Sequence, residues 1–120
     1  MAETLSPALT IPATHKYVIN HVLSKIIGNA YIDSIFLFGS CARGDAKDNS
    51  DIDLFVVTNG EIKDDKHEAF DILYGSTDDI PFDRYISCDI LTATKEDFID
   101  DSTPLIKVIK REGIELRGLL

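Results

Sequence analysis

The stretch "LFGSCARGDAKDNSDIDLFVV" (37–57) places two aspartates at the start of an apolar run, shortly after a glycine-serine turn and an arginine. The run "DIDLFVV" (51–57) and the earlier run "YIDSIFLF" (31–38) are rich in β-branched and aromatic residues, which predicts two strands. Asp51 and Asp53 stand two positions apart, so on a strand their carboxylates point to one face, roughly 6.6 Å apart along the chain. The alternate apolar residues then face the core. The stretch therefore predicts a buried strand that carries two acids on one face where it begins.

The segments on either side of this stretch complete a pattern of alternating helices and strands. Before it, apolar residues recur at intervals of three and four, which predicts an amphipathic helix between Pro12 and Gly28. After it, "KDDKHEAFDILYG" (63–75) predicts a second helix and "RYISCDILTAT" (84–94) predicts a third strand. The apolar stripe of the first helix consists of Val18, Ile19, Val22, Leu23, Ile26 and Ile27.

The C-terminal part predicts two further helices. Thr94 begins a capping-box pattern ahead of "KEDFIDD" (95–101), and the proline that opens "PLIKVIKRE" (104–112) suits the first turn of a helix. The segment "IELRG" (114–118) is compatible with a short final strand. The order of elements predicts an α/β (α+β) fold, in which helices pack against a small mixed sheet.

Composition limits the classes of function. The 120 residues are 44% hydrophobic, which suits one domain over residues 12–120 after a polar lead-in over residues 1–11. Acidic residues number 21 against 12 basic residues, a net charge of −9. This balance argues against stable binding of nucleic acid through phosphate contacts. It is compatible with a nucleotide bound through metal ions, because a metal ion reverses the local charge.

Cysteine usage and hydropathy suggest a compartment. Cys41 and Cys88 form neither a disulfide framework nor a zinc-binding spacing, which predicts two reduced thiols in a cytoplasmic protein. The N-terminal residues lack the basic start and apolar stretch of a signal peptide. No window approaches the ~18–20 apolar residues that a membrane-spanning helix needs. We therefore expect a cytoplasmic protein without a membrane segment.

The residues upstream of the acid pair suggest phosphate binding. Gly39 and Ser40 follow an apolar strand, so the turn exposes backbone N–H groups and allows close approach of a phosphate. Arg43 can bind phosphate or can pin the loop to a nearby acid. Ser50 can orient the next carboxylate or cap the turn. Taken alone, two acids at this position are typical of solvent-exposed residues at the start of a strand. Within fifteen residues of the glycine-serine turn, they suggest a metal site beside a phosphate-binding turn.

The segment "GSCARGDAKDNSDIDL" (39–54) resembles the signature of the nucleotidyltransferase superfamily related to DNA polymerase beta. More closely, it is similar to the minimal nucleotidyltransferases of bacteria and archaea, which are often encoded beside a helical HEPN-domain partner. The likeness covers nearly all of the chain. It implies a polymerase beta-like fold and a third carboxylate on a neighbouring strand. Asp89 is the first candidate, since an acid within a β-rich run needs a compensating partner if it is buried. Asp83 ranks second, and an exposed edge-strand acid is the alternative interpretation of Asp89.

The resemblance also implies a mechanism. Two Mg²⁺ ions would be held by aspartates, the acid on the third strand could also act as general base, and the glycine-serine turn would hold the triphosphate of ATP. The predicted catalytic and metal-ligating residues are Asp51, Asp53 and Asp89. The predicted nucleotide-binding residues are Gly39, Ser40, Arg43 and Ser50.

The acceptor is open to three hypotheses. The first is transfer of AMP to a hydroxyl of a HEPN-type protein partner, as one component of a toxin–antitoxin system. The second is a catalytically silent, antitoxin-like module that binds its partner. The third is a small-molecule nucleotidyltransferase of the aminoglycoside-modifying kind, for which a homo-oligomer would complete the site. The histidines His15, His21 and His67 lack metal-ligand spacing, so we expect them on the surface or in helix packing.

Overall fold

The computed structural model describes residues 11–60, 72–73 and 75–116. Over these ranges the chain forms a four-stranded sheet with helices on both faces. The helices are α1 (Ala13–Ile26), α2 (Ser40–Arg43), α3 (Lys95–Ile99) and α4 (Pro104–Glu112). The strands are β1 (Ile32–Phe38), β2 (Ile52–Thr58), β3 (Cys88–Thr94) and β4 (Ile114–Leu116).

The sheet is mixed, as the sequence predicts. Its strands lie in the order β3-β2-β1-β4. β1 runs antiparallel to both β2 and β4, whereas β2 runs parallel to β3. Because β2 and β3 are parallel neighbours, both strands begin at the same end of the sheet. The antiparallel strand β1 finishes at that end as well. Acids at the beginning of β2 and β3 therefore meet the turn that follows β1.

One face of the sheet packs against α1. The buried residues of α1 follow the predicted stripe, and Leu37 of β1 lies opposite them in the same core. Burial of each such side chain stabilises the fold by roughly 1.5–3 kcal/mol. The β2 residues that face this core, each with no exposed surface, are Ile52, Leu54 and Val56.

The opposite face is also covered over part of its length. Phe98 of α3 stacks on Phe36 of β1, with 5.3 Å between the ring centroids. A run of consecutive buried residues such as 54–57 is typical of a strand covered on both faces. The sequence analysis assigned the β2 residues that alternate with the acids to a core, and the structure adds a second core on the opposite face. Its buried members are Phe55, Val57, Ile106 and Ile109.

The C-terminal boundaries follow the sequence signals with one exception. The hydroxyl of Thr94 accepts a hydrogen bond from the N–H of Asp97 at 3.1 Å, which confirms the predicted cap of α3. The third strand begins at Cys88 instead of residue 84: Arg84 belongs to a 3₁₀ turn, and pairing with β2 starts only at Cys88.

Two predicted segments, the lead-in over residues 1–11 and the helix over residues 63–75, lie largely outside the described residues. Over the described ranges, no helix combines the length and hydropathy that crossing a bilayer requires. Cys41 and Cys88 are both free thiols, as predicted.

Candidate active site

Asp53 of β2 and Asp89 of β3 are register partners in the parallel pair. Neighbouring strands lie about 4.8 Å apart, so the two residues start side by side. Register partners also point to the same face of a sheet. Asp53 is half-buried, whereas Asp89 is exposed. The structure thus places the third predicted acid directly beside the second.

The exposure of Asp89 corrects the reason for which the sequence ranked it first. A buried charge would need a compensating ion, but β3 is an edge strand and Asp89 faces solvent, as the alternative interpretation held. Its place in the site depends instead on its position opposite Asp53. Asp83, the second candidate, lies in the 3₁₀ turn and not on β3.

Gly39 brings the end of β1 against the carboxylate of Asp53. Phe38, the last residue of β1, is the register partner of Asp53 in the antiparallel pair. Gly39 then adopts a φ of 74°, in the region that favours glycine. A Cβ at this position would stand 3.3 Å from Cγ of Asp53 and would collide with its Oδ2. A glycine is therefore required for the turn to pass this close to the acid.

The turn continues into the short helix α2, which begins at Ser40 and ends at Arg43. The first N–H groups of a helix have no acceptor within the helix, so the backbone after Gly39 presents donors that suit phosphate oxygens. Arg43 is exposed, and its Nε lies 3.5 Å from Oδ2 of Asp45. Of the two roles predicted for Arg43, this weak ion pair supports the one that braces the loop.

Ser50 closes the turn that leads into β2. Its hydroxyl accepts a hydrogen bond from the N–H of Lys47 at 2.8 Å, and its own N–H donates to the Lys47 carbonyl at 2.9 Å. Of the two roles predicted for Ser50, the structure shows turn capping. Asp51 follows immediately and is exposed. The backbone that carries Asp51 is thus set by a hydrogen-bonded turn.

The negative charge of Asp53 is poorly compensated. Burial raises the pKa of its carboxyl above the ordinary value, and the charges of Asp89 and Asp51 raise it further. The charge of Arg43 acts in the opposite direction and does not cancel these effects. A cation bound between these carboxylates would relieve their repulsion.

The donor set fits a divalent cation such as Mg²⁺, which prefers the oxygen ligands that three aspartates supply. Within the described part of the chain, however, no three His, Cys, Asp or Glu side chains lie close enough to hold a metal ion together. Asp51, Asp53 and Asp89 therefore occupy neighbouring positions without converging on one point. Cation binding requires their side chains to turn towards one another.

His15 is a neighbour of the site that the sequence analysis assigned to packing or to the surface. Its side chain has no exposed surface, and its Nε2 lies 2.6 Å from the carbonyl oxygen of Ser50. A signal for burial was present, because His15 falls on the apolar stripe three and four positions before Val18 and Ile19. A buried polar group needs a hydrogen-bond partner, but periodicity does not reveal a partner 35 residues away.

An open groove of about 410 Å³ continues the face that carries the acids. Phe55 and Leu91 line it, two positions beyond Asp53 and Asp89 on their strands. Thr103, the residue before α4, also lines it.

The chain resembles known proteins in sequence and in structure. A solved structure from Sulfolobus solfataricus, provisionally described as a nucleotidyltransferase, aligns with a TM-score of 0.47 and 24% identity. The alignment covers 89% of this chain and 85% of that chain. No curated protein gives a significant match. A family model described as polymerase beta, nucleotidyltransferase matches residues 20–114, which include the turn and all three acids. Because this match spans most of the sequence, the chain belongs to the polymerase beta nucleotidyltransferase family.

Proposed function

We propose that this nucleotidyltransferase domain transfers AMP from ATP to an acceptor hydroxyl in a Mg²⁺-dependent reaction. The observation that carries the proposal is the side-by-side placement of Asp53 and Asp89 next to the Gly39 turn. This arrangement puts acids suited to a cation beside backbone donors suited to a phosphate. Membership of the family supports nucleotidyl transfer in general.

The turn and the acids have separate tasks. Backbone N–H groups after Gly39, together with the Ser40 hydroxyl, donate hydrogen bonds to the β- and γ-phosphates and so orient the α-phosphorus for in-line attack. Asp51, Asp53 and Asp89 hold the cations. Mg²⁺ held there would neutralise negative charge on the triphosphate and would lower the pKa of the acceptor hydroxyl.

The chain's own contribution to the chemistry is removal of a proton. The acceptor oxygen attacks the α-phosphorus, the bond from that phosphorus to the bridging oxygen of the β-phosphate breaks, and pyrophosphate leaves. Asp89 takes the proton of the acceptor hydroxyl, and because it is exposed it can return that proton to solvent. Asp53 is less suited to this step, since the turn at Gly39 packs against its carboxylate.

A protein hydroxyl is the acceptor that we favour, on a HEPN-domain partner in a toxin–antitoxin pair. Asp51 and Asp89 are exposed, and β3 is an edge strand. A hydroxyl on a macromolecule can therefore approach the acids without entering a deep cavity. The resemblance to minimal nucleotidyltransferases supports the choice of a HEPN-domain protein.

The test is a labelling experiment with the protein encoded beside this chain, which we expect to be a HEPN-domain protein. The purified pair is incubated with Mg²⁺ and ATP that carries label on either the α- or the γ-phosphate. We expect α-label on the partner, no γ-label, and loss of transfer in Asp53→Asn and Asp89→Asn. Asp83→Asn is the matched control, because that exposed aspartate lies outside the site. Transfer of γ-label would contradict the proposal.

A catalytically silent, partner-binding module is the second candidate. The observation that favours it is that the three acids do not converge in the described part of the chain. A complex that forms equally well with Asp51→Asn and Asp53→Asn, without any transfer of label, would support this candidate. Transfer of α-label to an aminoglycoside, but not to the protein, would instead identify a small-molecule acceptor.

A further inference from the structure

We propose that His15 is a positioning residue for the cation site, through its hydrogen bond to the carbonyl of Ser50. This inference rests on the proposed function, because the site that His15 supports is the one formed by Asp51 and its neighbours. His15 lies in the first turn of α1, and Ser50 lies 35 residues later at the entrance to β2. The bond between Nε2 and the carbonyl oxygen measures 2.6 Å.

The choice of histidine at this position points to that bond. Position 15 lies on the buried stripe of α1, where an apolar side chain would leave no polar atom without a partner. The Nδ1 of His15 is buried and has no hydrogen-bond partner among the described residues. A carbonyl oxygen can only accept, so Nε2 carries the proton of the bond to Ser50. Packing alone would favour an apolar residue here, and the hydrogen bond is what the histidine adds.

The bond acts on Asp51 because the carbonyl of Ser50 belongs to the peptide unit that ends at the Asp51 nitrogen. A peptide unit is planar, so a hydrogen bond that holds its oxygen also fixes the orientation of the Asp51 backbone nitrogen. On the other side of Asp51, the N–H of Ile52 donates to the carbonyl of Ser87 at 2.8 Å. Asp51 is therefore held from both sides, by α1 and by the segment that leads into β3.

Substitutions of His15 separate this role from simple packing. His15→Leu fills the core and removes the donor, whereas in His15→Gln the side-chain amide can replace Nε2 as the donor. His21→Leu is the matched control, because His21 lies on the same helix but its Nε2 contacts Asp79 Oδ1, at 2.7 Å. The probe is Mn²⁺ together with α,β-methylene-ATP, and binding is followed by the electron paramagnetic resonance of free Mn²⁺. Thermal unfolding without ligand reports on packing.

We expect His15→Leu to weaken Mn²⁺ binding about tenfold, the lower end of the range for residues that orient metal ligands. His15→Gln and His21→Leu should bind Mn²⁺ within about twofold of the wild type. The unfolding temperature of His15→Leu should change little, because loss of the hydrogen bond to Ser50 is offset by removal of the unpartnered Nδ1 and by burial of an apolar side chain. If His15→Leu does not fold, His15→Asn, whose amide is too short to replace Nε2, is judged by the same criteria.

Two results would overturn the inference. One is Mn²⁺ binding by His15→Leu within twofold of the wild type, and the other is equal weakening in His15→Leu and His15→Gln. Asp53→Asn distinguishes these results from failure of the proposed function. If Asp53→Asn also leaves Mn²⁺ binding unchanged, the site itself is wrong and both proposals fall. If Asp53→Asn abolishes binding while His15→Leu does not affect it, only the role of His15 is rejected.

Discussion

The backbone of Gly39 packs directly against the carboxylate of Asp53, so the turn after β1 and the central acid of β2 form one packed unit. The two residues are fourteen positions apart in the sequence: Gly39 directly follows β1, and Asp53 lies on the antiparallel neighbour β2. Close approach of a phosphate to the turn therefore brings it close to Asp53. A substitution at either residue should therefore alter the position of the other.

Replacement of Gly39 by alanine should push the phosphate-binding turn away from the carboxylate of Asp53. The new Cβ would collide with Oδ2 of Asp53, and the φ of 74° strains any residue that has a side chain. We expect stability to fall by about 1–2 kcal/mol and nucleotidyl transfer to fall by about 100-fold. Chemical denaturation and the labelling assay measure the two effects.

The control for this substitution is Gly28→Ala, because a Cβ at Gly28 would meet no atom within 4 Å. That variant should change neither stability nor transfer by a comparable amount. If Gly39→Ala retained wild-type transfer, contact between the turn and the acid would not matter for function.

The second core, between the sheet and α4, should contribute strongly to stability. Ile109 of α4 has no exposed surface, so Ile109→Ala should lower the free energy of unfolding by about 2–5 kcal/mol. Ile99 at the end of α3 is 64% exposed, and Ile99→Ala should lower it by less than about 0.5 kcal/mol. Urea denaturation of both variants measures the difference, and equal losses would show that α4 does not form a core.

The order of elements in the described part of the chain was largely predictable from local patterns. The stripe of α1 and the alternation in β2 depend on residues close in sequence, and the cap at Thr94 depends on a residue three positions away. The 3₁₀ turn at Phe82–Arg84 was not predicted, because Arg84 was assigned to the start of the third strand. The second core was missed because one sequence does not reveal which helix covers which face.

The candidate site was predictable in its residues but not in its geometry. The turn at Gly39 and the acids of β2 lie in one continuous motif, whereas Asp89 was identified through a family resemblance and a mistaken expectation of burial. Its register with Asp53 depends on strand pairing across more than thirty residues. The contact between His15 and Ser50 is equally non-local, so periodicity gave the buried face without the partner.

The two cysteines should react slowly in the folded protein. Burial above all, together with the charges of nearby aspartates, raises the pKa of Cys41 to about 11 and that of Cys88 to about 12. At pH 8 the thiolate fraction of Cys41 is then roughly one in a thousand, compared with about one in ten for a thiol at the ordinary value of 9.0. We expect alkylation by iodoacetamide to be at least about 100-fold slower than in protein unfolded by guanidinium. Alkylation of the folded protein at the unfolded rate would contradict this description of the thiols.

Asp53→Asn should stabilise the protein without cations and inactivate it at the same time. A raised pKa in the folded state means that folding favours the protonated carboxyl. Asp53 therefore lowers stability as the pH rises from the ordinary pKa of 3.8 through the raised value, and this loss is complete at neutral pH. At pH 7 without divalent cations, Asp53→Asn should unfold on the order of 1–3 °C above the wild type. The difference should shrink as the pH is lowered below 4, where the wild-type carboxyl is protonated in both states.

Addition of Mg²⁺ and ATP should reverse this order. Ligand that binds the folded state raises its stability, so the wild type should gain unfolding temperature while Asp53→Asn gains little. Transfer should fall by more than about 100-fold in the variant, because even the outer partners of metal ligands contribute about 10–100-fold. Asp83→Asn, outside the site, should follow the wild type in every condition. Equal gains in the wild type and in Asp53→Asn would mean that the cation binds elsewhere. A cation in this site would offset the repulsion of the Asp53 carboxylate by Asp89 and Asp51, and the variant lacks that carboxylate.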